Sequence, residues 1–166
     1  MSITDADLKL LAVRVGRYLF RDRRAVTTAE SCTGGWIAKA LTDIAGSSQW
    51  FTEGFVTYSN QSKVARLAVP ASVLKKTGAV SKATAQAMAI GALRRTKAAD
   101  IAVAVTGIAG PDGAVPGKPV GTVWLAWAAR RGKGIRVDAQ LKHFRGDRDA
   151  VRRKAVRAAL DGLLKR

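Results

Sequence analysis

The sequence predicts an α/β protein: a three-layer α/β/α sandwich built on a mixed, mostly parallel sheet of about five strands. Segments with helical periodicity alternate with strand-like segments throughout the 166 residues without a linker, so we expect a single domain over 1–166. Residues 101–105 are all apolar, as in a strand buried on both faces of a sheet. Two later strand-like segments are joined by a short turn, which indicates an antiparallel hairpin and therefore a mixed sheet.

The first half of the chain contains three predicted helices and two predicted strands. Apolar side chains at helical spacing, from Leu8 to Leu19, predict a first helix that ends before the basic segment 21–24. The glycine pair 34–35 opens the second helix. Gly54 lies inside a segment of strand composition, where it indicates a bulge or a close approach of the backbone. After the first helix we expect a strand over 25–29, a helix over 36–44, a strand over 51–58, a short helix from Ser59 towards Pro70 and a further helical turn after Pro70.

The second half contains a long irregular loop between regular elements. Residues 107–121 hold five of the 16 glycines and three of the four prolines, too many turn-forming residues for a helix or strand. Loops of this length are usually functional or disordered. Ser81 and Asp147 are each placed to cap a helix. The predicted elements are a helix over 80–96, a strand over 101–105, strands over 120–128 and 135–144 joined by the turn 130–134, and a last helix over 147–164.

The composition excludes several classes of protein. Hydrophobic residues make up 48% and charged residues 25% of the chain, which is typical of a globular domain rather than a disordered one. No apolar run approaches the roughly 20 residues of a membrane span. The N-terminus, with Asp5 and Asp7, lacks the apolar core of a signal peptide, so we expect a cytoplasmic protein that does not contact a membrane. A single cysteine, Cys32, and a single histidine, His143, exclude a disulfide framework and a Cys/His metal site.

The charge is unusually positive: 29 Lys and Arg against 12 Asp and Glu give a net charge of +17. Such a balance is compatible with nucleic-acid binding, because neutralising phosphates supplies much of that affinity. The basic clusters, however, fall mostly at predicted helix ends and turns, and no RNA- or DNA-binding motif accompanies them. We therefore interpret them as a solvated basic surface, which would also steer a small anionic substrate towards the protein.

The segment 27–35, TTAESCTGG, places Ser31 where a short apolar strand ends and a glycine-opened helix begins. The backbone amides of Thr33, Gly34 and Gly35 are predicted to stay free there to bind negative charge. This arrangement is typical of an active-site corner. A serine before a helix can also be a simple N-cap that satisfies otherwise unpaired amides, and the motif alone leaves that alternative open.

Three predicted loops, at 30–35, 58–63 and 106–118, leave strand ends. In open α/β sheets ligands collect at the carboxyl ends of the strands, so we expect these loops to share one crevice. The third loop offers the hydroxyl of Thr106 and the backbone amides of its glycines as hydrogen-bonding groups. It has neither a GxGxxG pattern nor a GK[ST] ending, so its glycines alone do not indicate a nucleotide-binding loop.

A nucleophilic serine needs a base, and the chain offers few. A Ser-His-Asp mechanism would have to recruit His143 from a distant segment, whereas a serine activated by Lys63, with Tyr58, needs no histidine. Such a lysine must be neutral near physiological pH, which burial and neighbouring positive charge favour by lowering its pKa. The plainer alternatives are a packed tyrosine and a solvated lysine. Cys32 is either an alternative nucleophile or a small buried hydrophobic residue.

Several long motifs occur together and in a fixed order, and in this they resemble the CinA C-terminal domain family, whose characterised members are nicotinamide mononucleotide (NMN) amidohydrolases. The resemblance covers the chain from about residue 5 to its end. It favours the stand-alone form of the enzyme, since the larger CinA proteins carry an additional N-terminal domain. The motifs are TTAESCTGGWIAKALTDIAGSS, FTEGFVTYSNQSK, GAVS, VAVTGIAGPDG, KPVGTVW and FRGDRDAVR.

The resemblance implies hydrolysis of the carboxamide of NMN to nicotinic acid mononucleotide and ammonia, without a metal or an organic cofactor. It implies a serine amidohydrolase with a Ser/Lys arrangement, in which the catalytic residues are Ser31, Tyr58 and Lys63. It also implies a homodimer, for which the segments around Trp50 and Trp124 are candidate interface regions. The resemblance carries over Thr106 and Arg148 as substrate contacts. In such a mechanism the backbone amides around Cys32, Thr33 and Gly34 are placed to stabilise the oxyanion. Together with Gly107, these are the predicted substrate-binding residues.

A function of another class stays open at this point. Fold and motifs can persist in domains that have lost turnover. The alternative is a basic α/β module of the same fold that binds nucleotides or nucleic acid without hydrolysing anything. Nucleic acid is not required by the deamidase interpretation, and only the net charge speaks for it.

Overall fold

A computed structural model describes residues 3–166, which form one five-stranded sheet with helices on both faces. The capping residues expected from the sequence are confirmed: Asp147 accepts a hydrogen bond from the amide of Ala150, and Ser81 from that of Thr84. The elements are α1 Asp5–Arg21, β1 Val26–Glu30, α2 Trp36–Thr42, β2 Phe51–Val56, α3 Asn60–Leu67, α4 Ala71–Thr77, α5 Lys82–Arg95, β3 Ile101–Gly107, β4 Thr122–Arg131, β5 Gly134–His143 and α6 Arg148–Leu163.

The strand order is β2-β1-β3-β4-β5. β1 pairs in parallel with both β2 and β3, while β3 with β4 and β4 with β5 are antiparallel. Because two reversals restore the direction, four of the five strands run the same way. The predicted mixed sheet of an α/β fold is confirmed.

The two faces of the sheet carry different side chains. In β3, Ile101, Val103 and Val105 pack on the side of α1, α2 and α6, and the alternate residues Ala102 and Ala104 pack on the side of α5. This division follows from the period of two along a strand. Short alanine side chains let α5 lie close to the sheet. The two faces of the sheet therefore carry two separate hydrophobic cores, one against α1, α2 and α6 and one against α5.

Some details differ from the expectations. The bulge in β2 is at Thr52, because Val26 faces Phe51 while the next residue of β1 faces Glu53. At Gly54 the other predicted possibility, a close approach of the backbone, is confirmed, since a Cβ there would lie 2.9 Å from the Thr28 hydroxyl.

Two further expectations need correction. Trp50 is 4% exposed and packs against Gly16 of α1, so it is a core residue and cannot serve a surface contact. The hairpin turn is shorter than 130–134, because β4 continues to Arg131 and β5 begins at Gly134. Across residues 3–166, none of the helices combines the length and the apolar character that a membrane crossing requires.

Candidate active site

Ser31 lies at the carboxyl edge of the sheet, directly after β1. Its amide donates to the carbonyl of Val105 on β3 at 3.0 Å, and the carbonyl of the preceding Glu30 accepts from the amide of Thr57 at 2.8 Å. The ladder therefore holds the serine from both sides. Gly34 and Gly35 then adopt φ of +63° and +93°, a left-handed conformation that favours glycine, and turn the chain into α2.

Glu30, a residue that the sequence motifs did not predict for the site, holds the start of α2 at this corner. Its carboxylate is fully buried and accepts hydrogen bonds from the amides of Gly35, Ile37 and Ala38 at 3.1, 3.0 and 2.8 Å. Burial raises the pKa of Glu30, and these amide bonds oppose that rise. The side chain thus caps α2 where Gly35 offers none. A carboxyl group in an otherwise apolar or hydroxylated strand was the available signal.

Lys63 meets Ser31 at this corner. Ser59 caps α3 by accepting from the amide of Ser62, and one turn later the Lys63 side chain is 1% exposed. Its Nζ lies 3.0 Å from the Ser31 hydroxyl oxygen. It also lies 2.8 Å from the carbonyl oxygen of Thr57 and 3.1 Å from that of Tyr58. The structure therefore brings together two of the three predicted catalytic side chains.

The environment of Lys63 favours its neutral amine form. Burial lowers the pKa of Lys63 below its ordinary value of 10.5, because desolvation disfavours the ammonium ion. A neutral amine has two N–H donors and one lone pair. The carbonyls of Thr57 and Tyr58 can accept both N–H groups, which leaves the lone pair for the hydroxyl proton of Ser31. The arrangement can therefore take a proton from the serine.

The phenol of Tyr58 lies outside the contact between Ser31 and Lys63. The side chain is 59% exposed, and its hydroxyl accepts a hydrogen bond from Nη2 of Arg148 at 2.9 Å. Arg148 also donates from Nη1 to the carbonyl of Gly110 at 2.7 Å, which ties the loop 107–121 to the start of α6. Within residues 3–166 the phenol makes no hydrogen bond to the serine or the lysine, so these contacts offer no path for a relay through Tyr58.

The backbone amides of the corner are used differently from the expectation. Gly34 donates to the carbonyl of Ser31 at 3.0 Å and Gly35 donates to Glu30, so neither is free to bind an anion. Among the residues that the structure describes, the amides of Cys32 and Thr33 have no acceptor. The amides of Cys32 and Thr33 are therefore the remaining candidate donors of an oxyanion hole at this corner. The prediction that Gly34 and Gly35 amides stay free was wrong, because the turn and the buried carboxylate use them.

The thiol of Cys32 is not suited to nucleophilic attack. The side chain is 6% exposed, and burial raises its pKa to about 12. It is therefore protonated near neutral pH, while only a thiolate is a strong nucleophile. Of the two interpretations left open by the sequence, the small buried hydrophobic residue fits.

Thr106 and Gly107 end β3, the strand that lies next to β1. The Thr106 hydroxyl is buried and donates to the carbonyl of Ala79 at 2.8 Å, which fixes the segment before α5. At Gly107 a Cβ would lie 2.7 Å from the carbonyl of Thr122, so the glycine allows close packing on β4. Both residues were expected in the loop after the strand, but β3 continues through Gly107, so they are strand residues, and each has a structural contact of its own.

His143 lies away from the Ser31–Lys63 pair. His143 ends β5, with β3 and β4 between it and β1, and its Nδ1 lies 3.4 Å from the Thr122 hydroxyl. Over residues 3–166 no three His, Cys, Asp or Glu side chains gather in a group that could hold a metal ion.

Residues 8–166 match the family described as the CinA C-terminal domain. The chain belongs to this family. The resemblance drawn from the sequence motifs is confirmed, and it extends over nearly the whole chain.

Relatives of similar length carry a functional name. The chain is 53% identical over 161 residues to the nicotinamide-nucleotide amidohydrolase PncC of Escherichia coli K12, covering 97% of this chain and 95% of the relative. It is 55% identical over 154 residues to the PncC of Pseudomonas putida, covering 93% of each. A CinA-like protein of Geobacter sulfurreducens is 50% identical over 149 residues, which span 89% of this chain and 35% of that longer protein.

Solved structures show the same architecture. The competence/damage inducible protein CihA of Agrobacterium tumefaciens superposes with a TM-score of 0.89 at 45% identity, covering 100% of this chain and 99% of that one. The competence damage-inducible protein A of Klebsiella pneumoniae gives a TM-score of 0.90 at 41% identity, with 96% of each chain covered. The solved structures therefore support the same fold and the same family as the sequence match does.

Proposed function

We propose that this protein is a nicotinamide-nucleotide amidohydrolase that converts NMN and water into nicotinic acid mononucleotide and ammonia. The observation that carries the proposal is the buried Lys63 amine, 3.0 Å from the Ser31 hydroxyl at a glycine-lined corner of the sheet. A serine and a desolvated amine within hydrogen-bonding distance are the parts that a serine amidohydrolase without histidine needs. Family membership and the names of the relatives support the choice of NMN as the substrate.

In the proposed mechanism, the neutral amine of Lys63 takes the hydroxyl proton as Ser31 Oγ bonds to the carboxamide carbon. The cationic pyridinium ring of NMN makes that carbon more electrophilic. The carbonyl oxygen becomes an oxyanion, for which the amides of Cys32 and Thr33 are the candidate donors. Each such donor typically contributes about 3 to 4 kcal/mol to stabilising the transition state.

The tetrahedral intermediate then collapses in the direction of the acid product. Lys63 returns its proton to the amide nitrogen, the carbon–nitrogen bond breaks, and ammonia leaves an acyl ester on Ser31. A water molecule, deprotonated by the same amine, attacks the ester and regenerates the hydroxyl. Atoms and charges balance with water as the only co-reactant.

Arg148 is the candidate for the phosphate of NMN. Its guanidinium is at the exposed side of the site, next to the Tyr58 hydroxyl, and a guanidinium can bind phosphate with two parallel hydrogen bonds. Tyr58 completes this outer surface. The proposal also includes the homodimer and the cytoplasmic location, both of which stay predictions.

The test is ammonia release from NMN by the purified protein, compared with Ser31→Ala. We expect the wild type to release ammonia and the variant to lose at least about a thousandfold in kcat while unfolding at an unchanged temperature. The Ser81→Ala variant, which removes a helix cap instead, is the matched control and should keep its turnover. A wild type that binds NMN without releasing ammonia would instead support the non-catalytic binding module.

A further inference from the structure

Arg152, on α6, donates hydrogen bonds to the turn that follows the candidate nucleophile Ser31, although 120 residues separate it from Cys32 in the chain. Its Nε donates to the carbonyl of Cys32 at 3.1 Å, and its Nη2 donates to the carbonyl of Thr33 at 3.0 Å. The guanidinium also stacks on the indole of Trp36, with 5.2 Å from Cζ to the ring centroid. Two neighbouring carbonyls of the corner are thus held by one planar group.

Peptide planarity turns this contact into control of an amide. The carbonyl of Cys32 and the N–H of Thr33 belong to one peptide unit, in which the two groups point in opposite directions. A guanidinium that holds the carbonyl therefore directs the Thr33 N–H away from itself. The next peptide unit behaves in the same way, since its carbonyl binds Arg152 while its N–H, from Gly34, closes the turn onto Ser31 at 3.0 Å.

The same contact strengthens the amide as a donor. A cation hydrogen-bonded to a carbonyl polarises the peptide unit, because hydrogen bonds in a chain reinforce each other. Arg152 has no carboxylate partner among residues 3–166, so no ion pair weakens the charge that it directs at the Cys32 carbonyl. The unpaired Thr33 amide is the other end of that peptide.

Arg153 provides a contrast within the same helix. It also stacks on Trp36, at 4.8 Å from the ring centroid. Its guanidinium, however, pairs with the carboxylates of Asp5 and Asp149. None of its hydrogen bonds reaches the turn. Two adjacent arginines therefore share one aromatic surface, and only Arg152 touches the backbone beside the nucleophile.

We propose that Arg152 is a positioning residue for the oxyanion hole: its guanidinium fork holds the Cys32–Thr33 peptide so that the Thr33 N–H faces the oxyanion formed during amide hydrolysis. This inference rests on the proposed function. Arg152 does not touch the substrate in this role. Its effect is confined to the transition state, where the oxyanion exists.

The experiment measures kcat and KM for NMN in Arg152→Ala, in Arg152→Lys and in the matched control Arg153→Ala. We expect Arg152→Ala to lower kcat by about 10- to 100-fold with KM within about twofold, somewhat less than removal of a donor itself. Arg152→Lys keeps a cation over Trp36 but lacks the planar fork, so we expect an intermediate kcat. Arg153→Ala should keep the wild-type kcat.

Two further readouts separate positioning from simple structural support. Added guanidinium chloride at low millimolar concentration should restore part of the kcat of Arg152→Ala and have no such effect on Ser31→Ala. Circular dichroism establishes that each variant is folded, and Arg152→Lys carries the test should the alanine variant fail to fold. A kcat within twofold of wild type in both Arg152 variants overturns the proposal.

An equal fall in kcat in Arg153→Ala, or a rise in KM that matches the fall in kcat, would also overturn it. These outcomes are distinct from failure of the proposed function. If the wild type releases no ammonia from NMN, the proposed function fails first. If the wild type is active and Ser31→Ala is not, an active Arg152→Ala rejects the positioning role alone.

Discussion

Lys63 and Tyr58 are separated by only five positions in the chain, yet Lys63 is 1% exposed while Tyr58 is 59% exposed. We call Ser31 and Lys63 the inner pair, and Tyr58 and Arg148 the rim. The inner pair is buried against the carboxyl ends of β1 and β2. In the rim, the guanidinium of Arg148 donates hydrogen bonds to the Tyr58 hydroxyl and to the carbonyl of Gly110.

Under the proposed function, the difference predicts separate tasks for the two regions. A lysine acts as a base near neutral pH only where its pKa is lowered, and for Lys63 the main cause of the lowered pKa is desolvation by burial. A phosphate anchor needs the opposite, an accessible cation that can exchange solvent for ligand. We therefore expect changes to the inner pair to act on kcat and changes to the rim to act on KM.

The largest effect is expected from Lys63→Met, which removes the base but keeps an unbranched side chain in the buried space. We predict a fall in kcat of about a thousandfold, with KM for NMN nearly unchanged. Lys76→Met, at an exposed position on α4, is the matched control and should behave as wild type. Steady-state ammonia release measures both constants, and a fully active Lys63→Met would remove the inner pair from the mechanism.

The pH dependence of wild type and Lys63→Met sharpens this prediction. In the folded protein the pKa of Lys63 lies below 10.5, so kcat should rise with pH, reach half its maximum at that pKa and level off above it. Between that pKa and 10.5 the unfolded chain binds more protons than the folded one, so the free energy of unfolding rises with pH. Urea titrations of Lys63→Met should lack this rise.

A smaller effect, on KM, is expected from Arg148→Ala. Loss of a bidentate contact to phosphate should raise KM for NMN by about 10- to 100-fold and leave kcat within a few-fold. Nicotinamide riboside lacks the phosphate, so the variant and the wild type should hydrolyse it equally well. Arg145→Ala, also exposed, controls for the loss of one positive charge. An equal defect with the riboside would show that Arg148 does not bind the phosphate.

Tyr58→Phe tests whether the phenol belongs to the rim or to the chemistry. Its hydroxyl bonds to Arg148 rather than to the inner pair, so we predict a change in kcat of no more than about threefold. A proton relay through the phenol would instead lower kcat by about 10² to 10⁴. The ratio of kcat values for the two proteins decides between these roles.

The smallest effect is expected from Cys32→Ala. A thiol with its pKa raised to about 12 is protonated near neutral pH, so kcat should stay within about twofold of wild type. Loss of the buried sulfur should lower the free energy of unfolding by about 1 kcal/mol. Iodoacetamide should leave the folded protein unmodified. An inactive Cys32→Ala variant that remains folded would instead indicate that Cys32, and not Ser31, is the nucleophile.

The elements were largely predictable because their signals are local. An amphipathic pattern predicts α5, a continuous apolar segment predicts β3, the glycine pair predicts the turn into α2, and Asp147 marks the start of α6. The errors arose where an environment rather than a pattern decides. The segment around Trp50 is predicted as a candidate dimer interface because composition does not show exposure, whereas the Trp50 ring is buried against Gly16.

By itself, the sequence determined the fold class, the family and the identities of the candidate nucleophile and base. The tertiary structure decided how these groups act: that the Lys63 amine reaches a hydroxyl 32 residues away, that Glu30 occupies the amides of α2, and that Arg152 holds the turn. The physical reason is that propensity and periodicity depend on neighbouring residues, while desolvation and the pairing of buried hydrogen-bonding groups depend on segments that only folding brings together.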